Sequence, residues 1–372
     1  MTRRWDDYVL NVADDATRFW QTLLGERSRS VLYVTGQGFD PRMCDGPSLL
    51  LGCGGAGRRD CMLLAYQGQE FLTDRERQSI DRNRTRLNAM FQARGGIFEL
   101  PIALRDTMRR FVGAEEASVA VRNASGVDTY DDIVLDVSAT PRTIVLTVLS
   151  ELLYLVDRVW HDSRRLINLH VISVENSSID QSIEQVGLDE IPTMLPHFVA
   201  EIDAEATAAQ PRVWFPILGE GRVDRLRKLS DYISPNEVCP VLPSPSANPR
   251  RGDELIDEYR EILFDALRVD VRNIIYASET NPFECYRQLH QSITSYARTL
   301  NILGGFKAFV SPLSSRLLSV GALLACYELK ESMSVGIAYL ETHNYNLKES
   351  VGQGSQLSII HSLWLAGEAY AV

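Results

Sequence analysis

Short apolar runs of four to seven residues, rich in Val, Ile, Leu and Tyr, alternate along the chain with longer segments whose apolar positions recur at helical spacing. That alternation is the pattern of βα units and of a mostly parallel sheet. It predicts strands at 31–35, 62–66, 97–100, 133–137, 169–174, 213–218, 238–242, 273–277, 308–311 and 335–340. Thr73-Asp74-Arg75-Glu76 is a capping box, in which the threonine oxygen and the glutamate each satisfy an orphan amide, and it opens a predicted helix over 74–93. After Pro282, the residues Phe283, Tyr286, Leu289, Ile293, Tyr296, Ala297 and Leu300 form one apolar stripe. Leu255, Tyr259, Ile262, Leu263, Ala266 and Leu267 repeat the pattern one unit earlier, and a further helix is expected from Leu317 to Leu329.

A chain of 372 residues outgrows a single hydrophobic core. The expected architecture is therefore α/β and Rossmann-like, with mostly parallel sheets, flanking helices and two lobes at 1–165 and 166–372. The polar, acidic stretch 176–211, punctuated by Pro192, Pro196 and Pro211, is the expected connection or cover. Cys239 to Pro249 reads as a rigid proline-rich loop over the carboxyl edge of the sheet.

A hydrophobic share of 45% and a charged share of 23% are those of a folded globular domain. The acidic start MTRRWDDYVL and the lack of a long uncharged apolar window predict a cytoplasmic protein with no membrane partner. A net charge of −11 argues against nucleic acid as a partner. Six arginines between Arg75 and Arg94 face only Glu76 and Asp81, and they read as a solvated helix face. The six cysteines (Cys44, Cys53, Cys61, Cys239, Cys285, Cys326) form no C-x-x-C pair and predict neither a disulfide framework nor a metal site.

Candidate chemistry collects where strands end. The first strand runs into Gly36-Gln37-Gly38-Phe39-Asp40-Pro41-Arg42, a turn that lets backbone approach a ligand, with a carboxylate and a guanidinium beyond it. Over about ten residues this segment resembles the first motif of class I methyltransferases of the leucine-carboxyl type, which implies S-adenosylmethionine against Gly36 to Asp40. The next strand ends in Gln67-Gly68-Gln69, where that family offers an acid to the ribose. Gly52-Cys53-Gly54-Gly55-Ala56-Gly57 matches G-x-G-x-x-G in letters. Arg58-Arg59-Asp60 then leads into a strand and not a helix, so a glycine-rich loop is expected there instead of a dinucleotide fingerprint.

Asp136 and Ser138 end another strand ahead of Pro141 and Arg142, placed either to bind a ligand or to cap the next helix. Ser311, Ser314, Ser315 and Arg316 converge on the start of the 317–329 helix, an arrangement suited to an anion. Glu279 and Asn281, and the arginines Arg250 and Arg251, stand at two further strand ends, and Glu341 and Tyr345 at the last. None of the six histidines lies in a recognisable site pattern, and neither a G-x-S-x-G elbow nor a Walker-type loop is present.

These positions predict a protein that binds a phosphorylated or nucleotide-like small molecule, such as a nucleotide or sugar phosphate, along the carboxyl edge of its strands, with hydrolase or transferase chemistry open to it. Gly36, Gly38, Arg42, Ser138, Arg142, Arg250, Arg251, Asn281, Ser311, Ser314, Ser315 and Arg316 are the expected ligand-binding residues. Asp40, Asp136 and Glu279 are the candidate acids or bases. The sequence assigns no cofactor. The rival expectations are a non-catalytic sensor or scaffolding subunit with a protein partner, and a methyltransferase.

Overall fold

The computed structural model describes residues 3–69, 72–200, 209–348 and 357–371. The chain is α/β and divides into two compact units. The first comprises Asp7–Gly187 and His343–Val372, and the second Met1–Asp6 and Leu188–Thr342. The division differs from a cut at 165/166 for a local reason. The strand at Asn168–Glu175 hydrogen-bonds along the strand at Asp132–Asp136, so it belongs to the first unit, and the chain returns to that unit at its carboxyl end. The crossing at Gly187/Leu188 falls within the polar 176–211 stretch, of which residues 201–208 lie outside the described part.

The first unit carries strands β1 (Val9–Val12), β2 (Val31–Gly36), β3 (Arg59–Gln67), β4 (Ile97–Ala103), β5 (Asp132–Asp136) and β6 (Asn168–Glu175). With β16 (Ile359–Ala366) they form a sheet in the order β1-β16-β6-β5-β2-β3-β4. From β4 to β6 all neighbours are parallel, so in chain order the five strands stand 3-2-1-4-5, and β16 pairs antiparallel with both β6 and β1. The flanking helices are α1 (Asp14–Glu26), α2 (Asp45–Gly52), α3 (Asp74–Phe91), α4 (Gly113–Asn123), α5 (Arg142–Ser163) and the short α6 (Ser177–Ser182). Every residue of β2 and of β5 is buried, as expected for central strands covered on both faces. One face packs Val31, Tyr33, Cys61, Leu63 and Val134 against Trp20, Leu24, Leu50, Leu87 and Phe91 of α1, α2 and α3. A separate two-stranded ribbon joins β7 (Ile183–Leu188) and β15 (Thr342–Leu347).

The second unit repeats the plan. Strands β8 (Thr193–Met194), β9 (Arg212–Ile217), β10 (Glu237–Val238), β11 (Val241–Pro243), β12 (Ile275–Ala277), β13 (Lys307–Pro312) and β14 (Ser334–Tyr339) include a sheet path β12-β11-β9-β13-β14-β8, with β10 beside β9. The five strands from β12 to β14 are parallel and again stand 3-2-1-4-5 in chain order, with β8 antiparallel at the edge. Helices α7 (Val223–Ile233), α8 (Arg251–Glu258), α9 (Pro282–Leu300) and α10 (Arg316–Leu329) connect them. Beyond α8 the chain continues as a π-helical stretch over Glu261–Ala266, so the predicted helix there is broken, yet Leu255, Tyr259, Ile262 and Leu263 still enter one core with Trp214, Leu226 and Phe309. Among the described residues, no helix is long and apolar enough to cross a membrane.

The predicted capping box is present at α3. Thr73 accepts from the Glu76 amide at 3.2 Å, Glu76 accepts from the Thr73 amide at 2.7 Å, and the buried Glu76 carboxylate also takes the Leu347 amide at 2.9 Å. Thr73→Ala is expected to cost about 1 kcal/mol in urea unfolding. Glu76→Ala should cost more, because it also strips a partner from the backbone of β15. Equal losses for the two variants would show that the Leu347 bond adds nothing. The arginines of α3 make no ion pair along the helix among the described contacts: Arg84 reaches Glu99, Arg75 and Arg77 reach backbone carbonyls, and so does Arg94 just beyond the helix.

Candidate functional site at the carboxyl edges of the two sheets

In a 3-2-1-4-5 sheet the strand order reverses between the first and fourth strands, and a crevice opens beyond their carboxyl ends. In the first unit these strands are β2 and β5, so the reversal point is bounded by the turn after Gly36 and the segment after Asp136. Thr140 Oγ1 accepts the Gly36 amide at 3.0 Å, joining the two loops. Asn83 of α3 donates to the carbonyls of Gly38 and Asp40 at 3.0 and 3.1 Å and fixes the turn from the other side. With those carbonyls turned toward Asn83, the amides of Gly38, Phe39 and Asp40 donate to no described residue.

The charged residues of this turn face inward. Asp40 caps the short 3-10 turn Pro41–Cys44 through the Arg42 amide at 2.9 Å and grips the Arg42 guanidinium at 2.7 to 3.1 Å. Arg42, only 2% exposed, also reaches Asp180 of α6 at 2.8 Å and the Val174 carbonyl. Burial works against its charge, but the carboxylates of Asp40 and Asp180 outweigh it and hold the guanidinium firmly protonated. Arg42 thus ties the glycine turn to the end of β6 and presents no open donor fork at the edge.

Asp136 and Ser138 are likewise spent within the fold. Tyr33 donates to Asp136 at 2.5 Å, the Ser138 amide donates to it at 2.7 Å, and Ser138 Oγ accepts the Val174 amide at 2.9 Å. Neither caps α5, whose N-cap position is Pro141. Full burial pushes the Asp136 carboxyl up to about 6 against the pull of those hydrogen bonds. The sign follows directly: the folded state holds a proton that the unfolded state has released between about pH 4 and 6, so stability falls as pH rises through that window. Asp136→Asn should flatten that slope, read from urea midpoints at pH 4.5 and 7. An unchanged slope would assign the pH dependence to other groups.

The second unit places its reversal point between β9 and β13. β9 runs into Gly219-Glu220-Gly221-Arg222, a second G-x-G turn not among the sequence candidates, which stands after the first of the five parallel strands of its unit as Gly36-Gln37-Gly38 does. A β-carbon at Gly219 would lie 2.7 Å from the Leu313 carbonyl and 2.8 Å from Ser314 Cα, so the turn lies flush against the loop after β13. Tyr259 donates to the Gly219 carbonyl at 2.6 Å and accepts the Arg222 amide at 3.0 Å.

The predicted polar residues gather around this point with different fates. Ser311 Oγ accepts from Trp214 Nε1 at 3.0 Å, the buried Ser314 follows, and Ser315 caps α10 by accepting the Leu318 amide at 3.2 Å. Arg316, half-buried, is the first residue of α10; its guanidinium makes no hydrogen bond or ion pair with a described residue, and neither do the amides of Ser315, Arg316 and Leu317. Arg251 is clasped by Glu220 and Glu279, and Glu279 also takes the Ala247 amide at 3.2 Å. Asn281 caps α9, while Arg250 is exposed at the N-cap of α8.

A regularity emerges from the helix starts. The described α-helices α1, α2, α3, α4, α6, α7, α8 and α9 carry Asp or Glu in the first turn, where the helix dipole favours negative charge. The exceptions are α5 and α10, the two helices that follow the fourth of the five parallel strands in each unit. Both begin with an arginine, Arg142 and Arg316, and have no acid in that turn. At both reversal points the positive end of a helix is reinforced by a cation.

No protein-family model matches the chain, and a search of curated proteins finds no similar sequence.

Proposed function

We propose that the protein binds a phosphorylated or nucleotide-like small molecule at the carboxyl edge of its strands, with Arg316 and the first amides of α10 as the anchor for the anionic group. The observation that supports this reading is the arginine at the first position of α10. A cation there opposes the helix dipole and costs about 0.3–1 kcal/mol, a penalty that eight of the described helices avoid by placing an acid in their first turn and that an incoming anion would convert into an attraction. The Gly219 turn supplies close backbone approach, and Ser314 and Ser315 supply hydroxyls. Arg142 is the equivalent residue of α5. Asp40, Asp136 and Glu279 already hold other side chains or backbone amides, so they shape the two edges through Arg42, Tyr33 and Arg251, and the reading is one of binding before chemistry. Titration of the purified protein with nucleotides and sugar phosphates tests it, with Arg316→Ala as the control that should lose the response.

A second reading is S-adenosylmethionine binding at Gly36 to Asp40. It is favoured by the undonated amides of Gly38, Phe39 and Asp40 at the first unit's reversal point. If it holds, calorimetric titration with S-adenosylmethionine gives saturable heat that Gly38→Val abolishes. A flat titration removes methyl transfer from consideration.

A further inference from the structure

The glycine-rich loop between α2 and β3 lies at the opposite, amino end of the first unit's strands and takes no part in the site above. The carbonyls of Gly54, Gly55 and Ala56 are turned to donors behind the loop. Arg94 donates to the carbonyls of Gly54 and Gly55 at 3.0 and 2.7 Å, and the Ala56 carbonyl accepts the Arg29 amide at 3.1 Å and Arg59 Nη2 at 3.4 Å. In a trans peptide the N–H points away from the C=O of the same plane, so the amides of Gly55, Ala56 and Gly57 point away from those donors. None of the amides from Gly54 to Arg58 donates to a described residue, and residues 55–58 are exposed.

Behind the loop, Arg59 feels a carboxylate only at a distance, from Asp132. Arg59 is 0% exposed, its Nε has no acceptor, and its other nitrogens meet only the carbonyls of Arg29, Arg58 and Ala56. Neither Arg59 nor the exposed Arg94 forms an ion pair among the described residues, although a guanidinium as buried as that of Arg59 is normally matched by a carboxylate. The loop also lies hard against Arg29. Gly57 has φ +111°, and a β-carbon there would strike the Arg29 backbone. The exposed Arg58 stands at the rim, paired with Asp60.

We propose that the loop Gly54–Arg58 is a second anion site that takes the phosphoryl or diphosphoryl group of a small molecule on its outward amides, with Arg59 and Arg94 supplying the charge from behind. It is independent of the carboxyl-edge reading. The helix that a dinucleotide fingerprint requires is replaced here by the two arginines, which do the work of the helix dipole in polarising the amides.

Inorganic pyrophosphate is the probe, added to full-length protein carrying 15N-labelled glycine. The amide resonances of Gly54, Gly55 and Gly57 should shift saturably, and Arg94→Ala should weaken the apparent affinity roughly tenfold. Arg316→Ala should leave those three shifts unchanged, which separates this site from the carboxyl edge. Should Arg94→Ala fold poorly, the glycine shifts in the unaltered protein still decide the matter. Absence of saturable shifts at the three glycines, or undiminished affinity in a folded Arg94→Ala protein, would overturn the proposal.

Discussion

Asp132→Ala is expected to destabilise the protein by about 3–5 kcal/mol, the cost of leaving a buried cation without its partner. Asp132 is 0% exposed at the start of β5, where it accepts from Asn168 at 2.9 Å, from His170 at 3.2 Å and from Arg29 at 3.3 Å. Arg29, 2% exposed, is shared with Glu368 at 2.7 Å, so the cluster joins the amino ends of β2, β5 and β6 to the carboxyl-terminal segment. Burial alone would raise the Asp132 carboxyl, but His170, Arg29 and Asn168 together hold it below the usual carboxylate range. The depressed value gives stability that is present above about pH 4 and is lost as pH falls through the folded value. That dependence runs opposite to the one at Asp136, and the two windows meet near pH 4. Urea unfolding at pH 7 checks the magnitude. A loss under 1 kcal/mol would mean that Glu368 alone satisfies Arg29.

Arg316→Glu should separate stability from binding at α10. An acid at the first helical position suits the dipole, so unfolding free energy should rise by a few tenths of a kcal/mol or stay level. Affinity for a phosphorylated ligand should fall by about a hundredfold, because an attraction becomes a repulsion within one helical turn. Paired urea titration and calorimetry read the two effects on one sample. A variant that is less stable and binds unchanged would show that Arg316 serves the fold through a contact in solution, and would end its role as the anchor.

The parallel core was legible because its central strands are buried on both faces and therefore read as mostly apolar runs. β2, β5, β6 and β13 fall within about a residue of expectation. The antiparallel additions were not. β1 has four residues, and β16 interrupts its apolar run with His361 and Ser362, two buried polar side chains whose pairing exists only once β6 lies alongside. The domain division was hidden for the same reason, since a returning strand leaves no mark on the segment it leaves behind. At the site, sequence placed polar residues at strand ends but could not say which were already engaged. Arg42 and Arg316 look alike in a sequence; one is locked between Asp40 and Asp180, while the other opens a helix. The Gly219 turn escaped notice because a G-x-G is informative only when its strand is known to be the first of a 3-2-1-4-5 set.

The central claim is that an anionic ligand docks at the start of α10. It is tested most directly by thermal unfolding of wild-type and Arg316→Ala protein across a panel of nucleotides and sugar phosphates. A ligand at about 100 times its dissociation constant adds roughly 2.7 kcal/mol, enough to move the midpoint by a few degrees. The account predicts a shift with at least one phosphorylated compound in the wild type and none in Arg316→Ala. A shift of equal size in both proteins would contradict it.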